Sequence, residues 1–169
     1  MWLKYSSSLI WAACNTFKVG VVFAGAIPFN DFMPASIAKT LSVLQGEKPV
    51  LIVTEGTAKL DNHKYKSLFH IKAKMIPYDE VEAYVGHAPG GVCPFGVNEG
   101  VAVYLDESLR KFDTVYPAAG NGHTAVKLTL QELEAAAGAE GWVDVCKEPE
   151  GDKKGPSAVG WTLLCYILQ

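Results

Sequence analysis

The sequence predicts a mixed α/β (α+β) domain, and three observations predict it. Short apolar strands arrive in hairpin-like pairs rather than in strict strand–helix alternation. Helical stretches with recognisable start and stop residues are interspersed among them. Glycine-containing turns separate the elements at short intervals. At 169 residues, with 49% hydrophobic and 20% charged residues, the chain is large enough to bury one core and ordinary in composition for a globular protein.

The elements come in this order. "IAKTLSVL", "QGEK" and "PVLIVTEG" read as two strands joined by a tight turn at Gly46. "DNHKYKSLFH" opens with cap-type residues and suits a short helix. "PYDEVEAYVG" carries Pro and acids in its first turn and Gly at its end, the punctuation of a helix. "GVAVYLDESL" is a strand leading into a helical turn. "DTVYPAAG" and "HTAVKLT" read as strands with "GNG" as the turn between them. "LTLQELEAAAG" is a helix with Thr129 as its cap, Glu132 closing a capping box and Gly138 as its stop, and "GWVDVC" is a last strand. The predicted organisation is an atypical N-terminal segment at 1–33, a domain at 34–147, and a tail at 148–169 that begins polar and ends apolar.

The net charge of −3 gives no whole-chain sign of a nucleic-acid partner. The four cysteines, Cys14, Cys93, Cys146 and Cys165, form no CxxC pair and no zinc spacing, so no metal or other cofactor is expected. They suit a reducing, cytoplasmic compartment. The N-terminal apolar run resembles a secretion signal only in outline, because Leu9–Cys14 is short and Lys18 interrupts the apolar residues after it. The apolar end "VGWTLLCYILQ" is too short to span a bilayer, and no membrane partner is expected.

Three stretches carry possible chemistry. "GHAPGGVCPFG" concentrates glycine and proline around His87 and Cys93. Gly90 and Gly91, followed by Val92, Cys93 and Pro94, can aim successive N–H groups at an anion or a developing oxyanion. The same residues also suit a bulged connection into the next strand. His87 reads as a general base or a loop hydrogen-bonder. Cys93 reads as a nucleophile or, more simply, a small buried thiol, since no partner set accompanies it. The stretch 59–74 holds five lysines and one acid, a local +4 that leaves −7 for the rest. It is either a phosphate-tracking stripe, with Lys64, Lys66, Lys72 and Lys74 as contacts, or a solvated helix face. Lys39 shares strand parity with Ile37, Leu41 and Val43, so it either meets an anionic or carbonyl-rich group or guards a strand edge.

Taken together, "IAKTLSV", "PVLIVTEG", "GHAPGGVCPFG" and "VYLDESLRKFDTVYPAAGNGHTAVKLT…ELEAAAGAEGWVDVC" resemble the YbaK/ProX aminoacyl-tRNA deacylases, stand-alone relatives of the editing domain of bacterial prolyl-tRNA synthetases. The resemblance runs from Ile37 to Lys147. It implies a curved, largely antiparallel sheet with flanking helices. It implies hydrolysis of the ester between a wrong amino acid and the 3′ adenosine of tRNA, of the Cys-tRNA(Pro) or Ala-tRNA(Pro) type. Mischarged tRNA and prolyl-tRNA synthetase are the partners it implies, with no metal and no protein general base. Lys39 then holds the terminal phosphate or carbonyl region. Gly90 and Gly91 polarise the ester, and His87, Val92, Cys93, Pro94, Gly120 and His123 line the substrate site, with lysine and loop facing one acyl linkage. A non-catalytic tRNA- or nucleotide-binding module of the same fold is the alternative. The segment "NTFKVGVVFAGAIPFNDFMPAS" departs from the strand and two helices that family members usually carry there.

Overall fold

A computed structural model describes residues 21–23, 34–120 and 124–148. Its largest sheet is a curled half-barrel of seven strands. A short strand, β1 (Val21–Phe23), precedes a single 3-10 turn, Pro34–Ser36. β2 (Ile37–Gln45) and β3 (Lys48–Glu55) then form the expected hairpin in register from Ala38↔Glu55 to Gln45↔Lys48, turning at Gly46 with a positive φ of 69°. β4 (Lys59–Leu60) leads into helix α1 (Asn62–Phe69), whose N-cap Asp61 accepts from the His63 and Lys64 amides. β5 (Lys74–Met75) and helix α2 (Val81–Val85) come next, and α2 stops at Gly86 as its sequence predicts. β6 (Ala102–Asp106) runs into a 3-10 helix, Glu107–Lys111, and then β7 (Thr114–Pro117). The expected strand "HTAVKLT" divides into β8 (Thr124–Val126) and β9 (Leu128–Thr129). Helix α3 (Leu130–Ala137) carries the expected capping box between Thr129 and Glu132 and ends at Gly138. β10 (Gly141–Val143) and β11 (Cys146–Lys147) replace the single strand expected from "GWVDVC".

The main sheet runs β10-β6-β3-β2-β7-β9, with β5 also on β2. Five of the eight strand pairings are antiparallel, which accords with the expected bias, yet the main sheet holds three parallel pairs, β10–β6, β6–β3 and β2–β7. β1, inside the segment that the sequence sets apart, pairs with β8 through Val21↔Val126 to Phe23↔Thr124. The "GNG" turn runs from Gly120 into residues 121–122, which lie outside the described residues.

Alternation along β2 and β3 sends side chains into two apolar clusters. Ala38, Leu44, Leu51 and Val53 enter the first, with Val81, Val85, Leu105, Leu109 and Leu133. Val43, Val50 and Ile52 enter the second, with Ala58, Tyr65, Val145 and Cys146. α2 and α3 cover the first cluster and α1 covers the second through Tyr65. Asp106 is buried at 1% exposure and accepts from the Ser108, Val145 and Cys146 amides at 3.0 to 3.1 Å. That carboxylate thus ties the end of β6 to the start of β11.

Candidate functional site

The site begins with a break in strand pairing. One edge of β2 is fully matched by β3. On its other edge, β7 pairs only with Ile37 and Ala38, and β5 only with Val43 and Leu44. The Ile76 amide adds a bond to the Ser42 carbonyl at 3.1 Å. Among the described residues, Lys39, Thr40 and Leu41 are therefore flanked by no strand on that edge, because β7 turns away after Pro117 and Ala118 bridges to Ala125 instead. The result is a notch in the sheet between the ends of β7 and β5.

Lys39 leaves β2 with the parity of Leu41 and Val43, on the side of the second cluster. Its ammonium donates to the Ala58 carbonyl. No carboxylate forms an ion pair with it among the described residues. Burial holds its pKa below the ordinary lysine value, while nearby Cys146 and Glu55 act in the other direction. Thr40 has the opposite parity, that of Ala38 and Leu44, and so points to the side of the first cluster. Its Oγ1 is buried and has no hydrogen-bond partner among the described residues.

The glycine loop packs on that same first cluster through Val92 and Phe95. It is a closed Ω-type loop: the Asn98 amide donates to the Val85 carbonyl at 3.0 Å, joining its ends. Asn98 Nδ2 also donates to the Ala83 and Tyr84 carbonyls at 3.1 and 3.2 Å, finishing α2. Inside, the Gly91 amide donates to Ala88 at 3.0 Å and Gly90 sits at φ 83°, so Ala88-Pro89-Gly90-Gly91 has the proline and glycine of a type II turn. Gly91 therefore uses its N–H within the turn. Among the described residues, the Gly90, Val92 and Cys93 amides meet no described acceptor, as is also true of the His87, Ala88, Gly96 and Val97 amides elsewhere in the loop.

His87 and Cys93 brace the loop. His87 Nε2 lies 2.7 Å from the Phe95 carbonyl, which only accepts, so Nε2 carries the hydrogen. The Cys93 thiol donates to the same carbonyl at 3.5 Å and lies 3.6 Å from His87 Nε2. Burial pushes the Cys93 thiol up to about 11, against hydrogen bonds from the Phe95 and Gly120 main chain. A neutral thiol of this kind suits packing better than nucleophilic attack. The contact with Gly120 also ties the loop to the turn after β7.

The structure thus brings His87, Cys93, Phe95 and Gly120 together, and it encloses Gly91, Cys93 and Pro94. It joins Lys39 to Ala58 and not, in any described contact, to Gly90–Pro94. His123 lies outside the described residues. Lys64 is committed to Asp144 at 2.6 Å and to the Cys146 carbonyl at 3.0 Å. Lys66, Lys72 and Lys74 are exposed and form no described ion pair. Sequence reading passed over Thr40 and Asn98. The signal for Thr40 is a polar residue on the apolar parity of β2, the same signal that singles out Lys39 on the other parity. No His, Cys, Asp and Glu grouping among the described residues could hold a metal ion, and no described helix is long and apolar enough to cross a membrane.

A family model described as an aminoacyl-tRNA editing domain matches residues 25–136. YwhH of Bacillus subtilis (strain 168), an uncharacterized protein, is 46% identical over 115 residues, covering 68% of this chain and 73% of its own length. EbsC of Enterococcus faecalis (strain ATCC 700802 / V583), provisionally named a Cys-tRNA(Pro)/Cys-tRNA(Cys) deacylase, is 32% identical over 100 residues, 57% of this chain and 60% of its own. A crystal structure provisionally described as a trans-editing enzyme for prolyl tRNA synthetase matches with a TM-score of 0.71 at 26% identity, over 86% of this chain and 99% of that one.

Proposed function

The chain belongs to the aminoacyl-tRNA editing domain family, and from that premise we propose that it hydrolyses mischarged tRNA in trans. The substrate class is an aminoacyl ester on the tRNA 3′ adenosine, of the Cys-tRNA(Pro) or Ala-tRNA(Pro) type. Water attacks the ester carbonyl, the acyl C–O bond breaks, and the free amino acid and the terminal hydroxyl leave. The substrate's own ribose hydroxyl or a positioned water supplies the proton transfers.

One observation carries the reading: the half-buried Lys39 ammonium is held by a main-chain carbonyl and, among the described residues, by no carboxylate, beside a stretch of β2 edge that no described strand covers. A desolvated cation without a carboxylate partner favours an incoming anion or polarised carbonyl. The substrate's 3′ end lies in the notch, with Lys39 on its terminal phosphate or carbonyl region. The aminoacyl group lies against the loop, where the Gly90, Val92 and Cys93 amides meet the developing oxyanion. One such donor in an acyl-transfer site is worth on the order of 3 kcal/mol. Pro94 and Gly120 shape the wall, and Lys66, Lys72 and Lys74 meet the phosphates of the acceptor stem. Cytoplasmic tRNA and prolyl-tRNA synthetase are the partners of this reading.

The test is a deacylation panel with the intact chain on Cys-tRNA(Pro), Ala-tRNA(Pro) and correctly charged Pro-tRNA(Pro). Turnover of a mischarged substrate well above the buffer rate, with Pro-tRNA(Pro) spared, is expected. Hydrolysis of none of them above buffer overturns the reading. Binding of tRNA with no turnover identifies a non-catalytic module of the same fold instead.

A further inference from the structure

Glu55 is a buried carboxylate that no step of the proposed reaction uses. It ends β3 at 2% exposure, directly across the β2–β3 ladder from Ala38, the residue before Lys39. Two side chains hold it. Lys111, of the 3-10 helix after β6, lies 2.8 Å away, and the Thr57 hydroxyl donates to it at 3.0 Å. Lys111 is half exposed and also pairs with Glu148, so a surface cation anchors a buried anion. A pair of this kind seldom adds net stability, because desolvation offsets the attraction. What it fixes in place is therefore the informative question.

The contacts lead from Glu55 to Lys39. The Ala58 amide donates to the Glu55 carbonyl at 3.2 Å and closes residues 55–58 into a turn. The Thr57 hydroxyl pins the middle of that turn to the Glu55 side chain. The Glu55 amide donates to Ser108 Oγ and the Gly56 amide to the Ala35 carbonyl, each at 3.3 Å, which fastens the start of the turn. The turn ends at the fully buried Ala58, whose carbonyl receives the Lys39 ammonium. Burial disfavours the charge on that ammonium. Cys146 on β11 and Glu55 favour the charge, and Lys59 on β4 opposes it. Burial pushes the Cys146 thiol up to about 12, so below that range Glu55 is the standing anion of the three.

Resting on the deacylase reading, in which Lys39 holds the substrate, we infer that Glu55 is a positioning residue: its carboxylate, anchored by Lys111 and bound by Thr57, sets the 55–58 turn whose Ala58 carbonyl fixes the Lys39 ammonium. Glu55 touches no substrate. It acts through Lys39, by geometry along the turn and by charge across it, and it leaves the ammonium without an ion pair of its own.

The experiment compares Glu55→Gln, which keeps the shape and an acceptor for Thr57 but removes the charge, with Thr57→Val, which removes the hydroxyl and keeps the charge. A paired variant, Glu55→Gln with Lys111→Met, removes both charges and leaves no lone cation to weaken the fold. On the full chain with isotope-labelled lysine, NMR follows the pH at which the Lys39 side chain loses its proton, with Lys39→Ala identifying the signal. That reading needs no substrate. At neutral pH, kcat/KM for mischarged tRNA and affinity for a non-hydrolysable amide analogue of aminoacyl-adenosine are measured beside it. Lys39 should lose its proton at lower pH in Glu55→Gln and in the paired variant than in wild type, because the anion favouring its charge has gone. Thr57→Val should lower kcat/KM and analogue affinity roughly fivefold, as the loss of one hydrogen bond predicts. That loss should vanish in a Lys39→Ala background, because both residues then act at one point.

An unmoved Lys39 titration in Glu55→Gln and in the paired variant overturns the inference. So does undiminished activity and affinity in Thr57→Val. A Thr57→Val loss that is as large without Lys39 also overturns it, since the turn then serves the fold and not the lysine. If the wild-type chain hydrolyses no mischarged tRNA, the deacylase reading falls by itself, and the Lys39 titration alone decides Glu55.

Discussion

The glycine loop and the Lys39–Thr40 stretch of β2 treat their polar groups in opposite ways. In the loop, His87, Cys93, Gly91 and Asn98 are all directed at neighbouring carbonyls, and Val85 and Asn98 close the ring. In the strand, one ammonium holds a lone carbonyl and one hydroxyl holds nothing described. The loop is complete as a shape and offers a few preset amides. The strand, among the described residues, leaves these groups with fewer partners. A site made of a finished scaffold and an unfinished strand separates stability from function residue by residue.

That separation can be broken or sharpened by substitution. The largest effect is expected at Lys39. Lys39→Ala should reduce deacylation about a hundredfold, the loss typical of a preorganised electrostatic contact. Its melting temperature should not fall, because a desolvated ammonium has been removed. Falling stability with intact activity would assign Lys39 to the scaffold and erase the contrast.

Gly86→Ala comes next and strikes the other region. Gly86 has φ 89°, and a Cβ there would sit 2.6 Å from Asn98 Oδ1. Left-handed strain and displacement of Asn98 together should cost about 2 kcal/mol, read as a lower denaturant midpoint. An unchanged midpoint would mean that the loop is not closed through Asn98.

His87→Ala should cost about 1 kcal/mol of stability through the lost bond to Phe95, with a several-fold loss of kcat/KM as the loop loosens. His87→Gln, which keeps an N–H donor, should recover part of both. Activity abolished with stability untouched would make His87 a chemical participant rather than a brace.

The lysines give a smaller contrast. Lys66→Glu, Lys72→Glu and Lys74→Glu should weaken tRNA binding and flatten its salt dependence by roughly one unit of slope per lost phosphate contact. Lys64→Ala should do less, because its charge already faces Asp144.

The smallest effect concerns pH. Lys39 has a pKa below its ordinary 10.5 because burial disfavours its charge. Its ammonium is lost as pH rises through that lowered value, so enzyme-dependent deacylation should decline at a lower pH than a free lysine would give. Stability moves the other way: the unfolded chain binds the extra proton between the lowered value and 10.5, so this group's cost to the fold is relieved as pH rises through that window. An alkaline limb no earlier than that of an exposed lysine would contradict the burial.

Local elements were legible in the sequence because their signals are local. Gly46 marks the β2–β3 turn, and the Thr129–Glu132 box with Gly138 bounds α3. The parallel neighbours of β6 were not legible, since β3 and β10 lie far from it in the chain and no residue pattern encodes that pairing. "GWVDVC" reads as one strand, but the Asp106 carboxylate takes the Val145 and Cys146 amides and draws the chain away from β10. The residue types of the glycine loop were evident, whereas the directions of His87 and Cys93, toward the Phe95 carbonyl, belong to the packing. Thr40 stands out for a related reason: its buried hydroxyl draws notice only once β7 is seen to part from β2 after Ala38.

The most direct measurement is amide chemical-shift mapping of the full chain titrated with the non-hydrolysable aminoacyl-adenosine analogue. The largest shifts should fall on Lys39, Thr40, Gly90, Val92, Cys93 and Gly120, on both sides of the notch. Shifts confined to α1, β10 and β11, with the β2 edge and the glycine loop unmoved, would contradict the placement of the site.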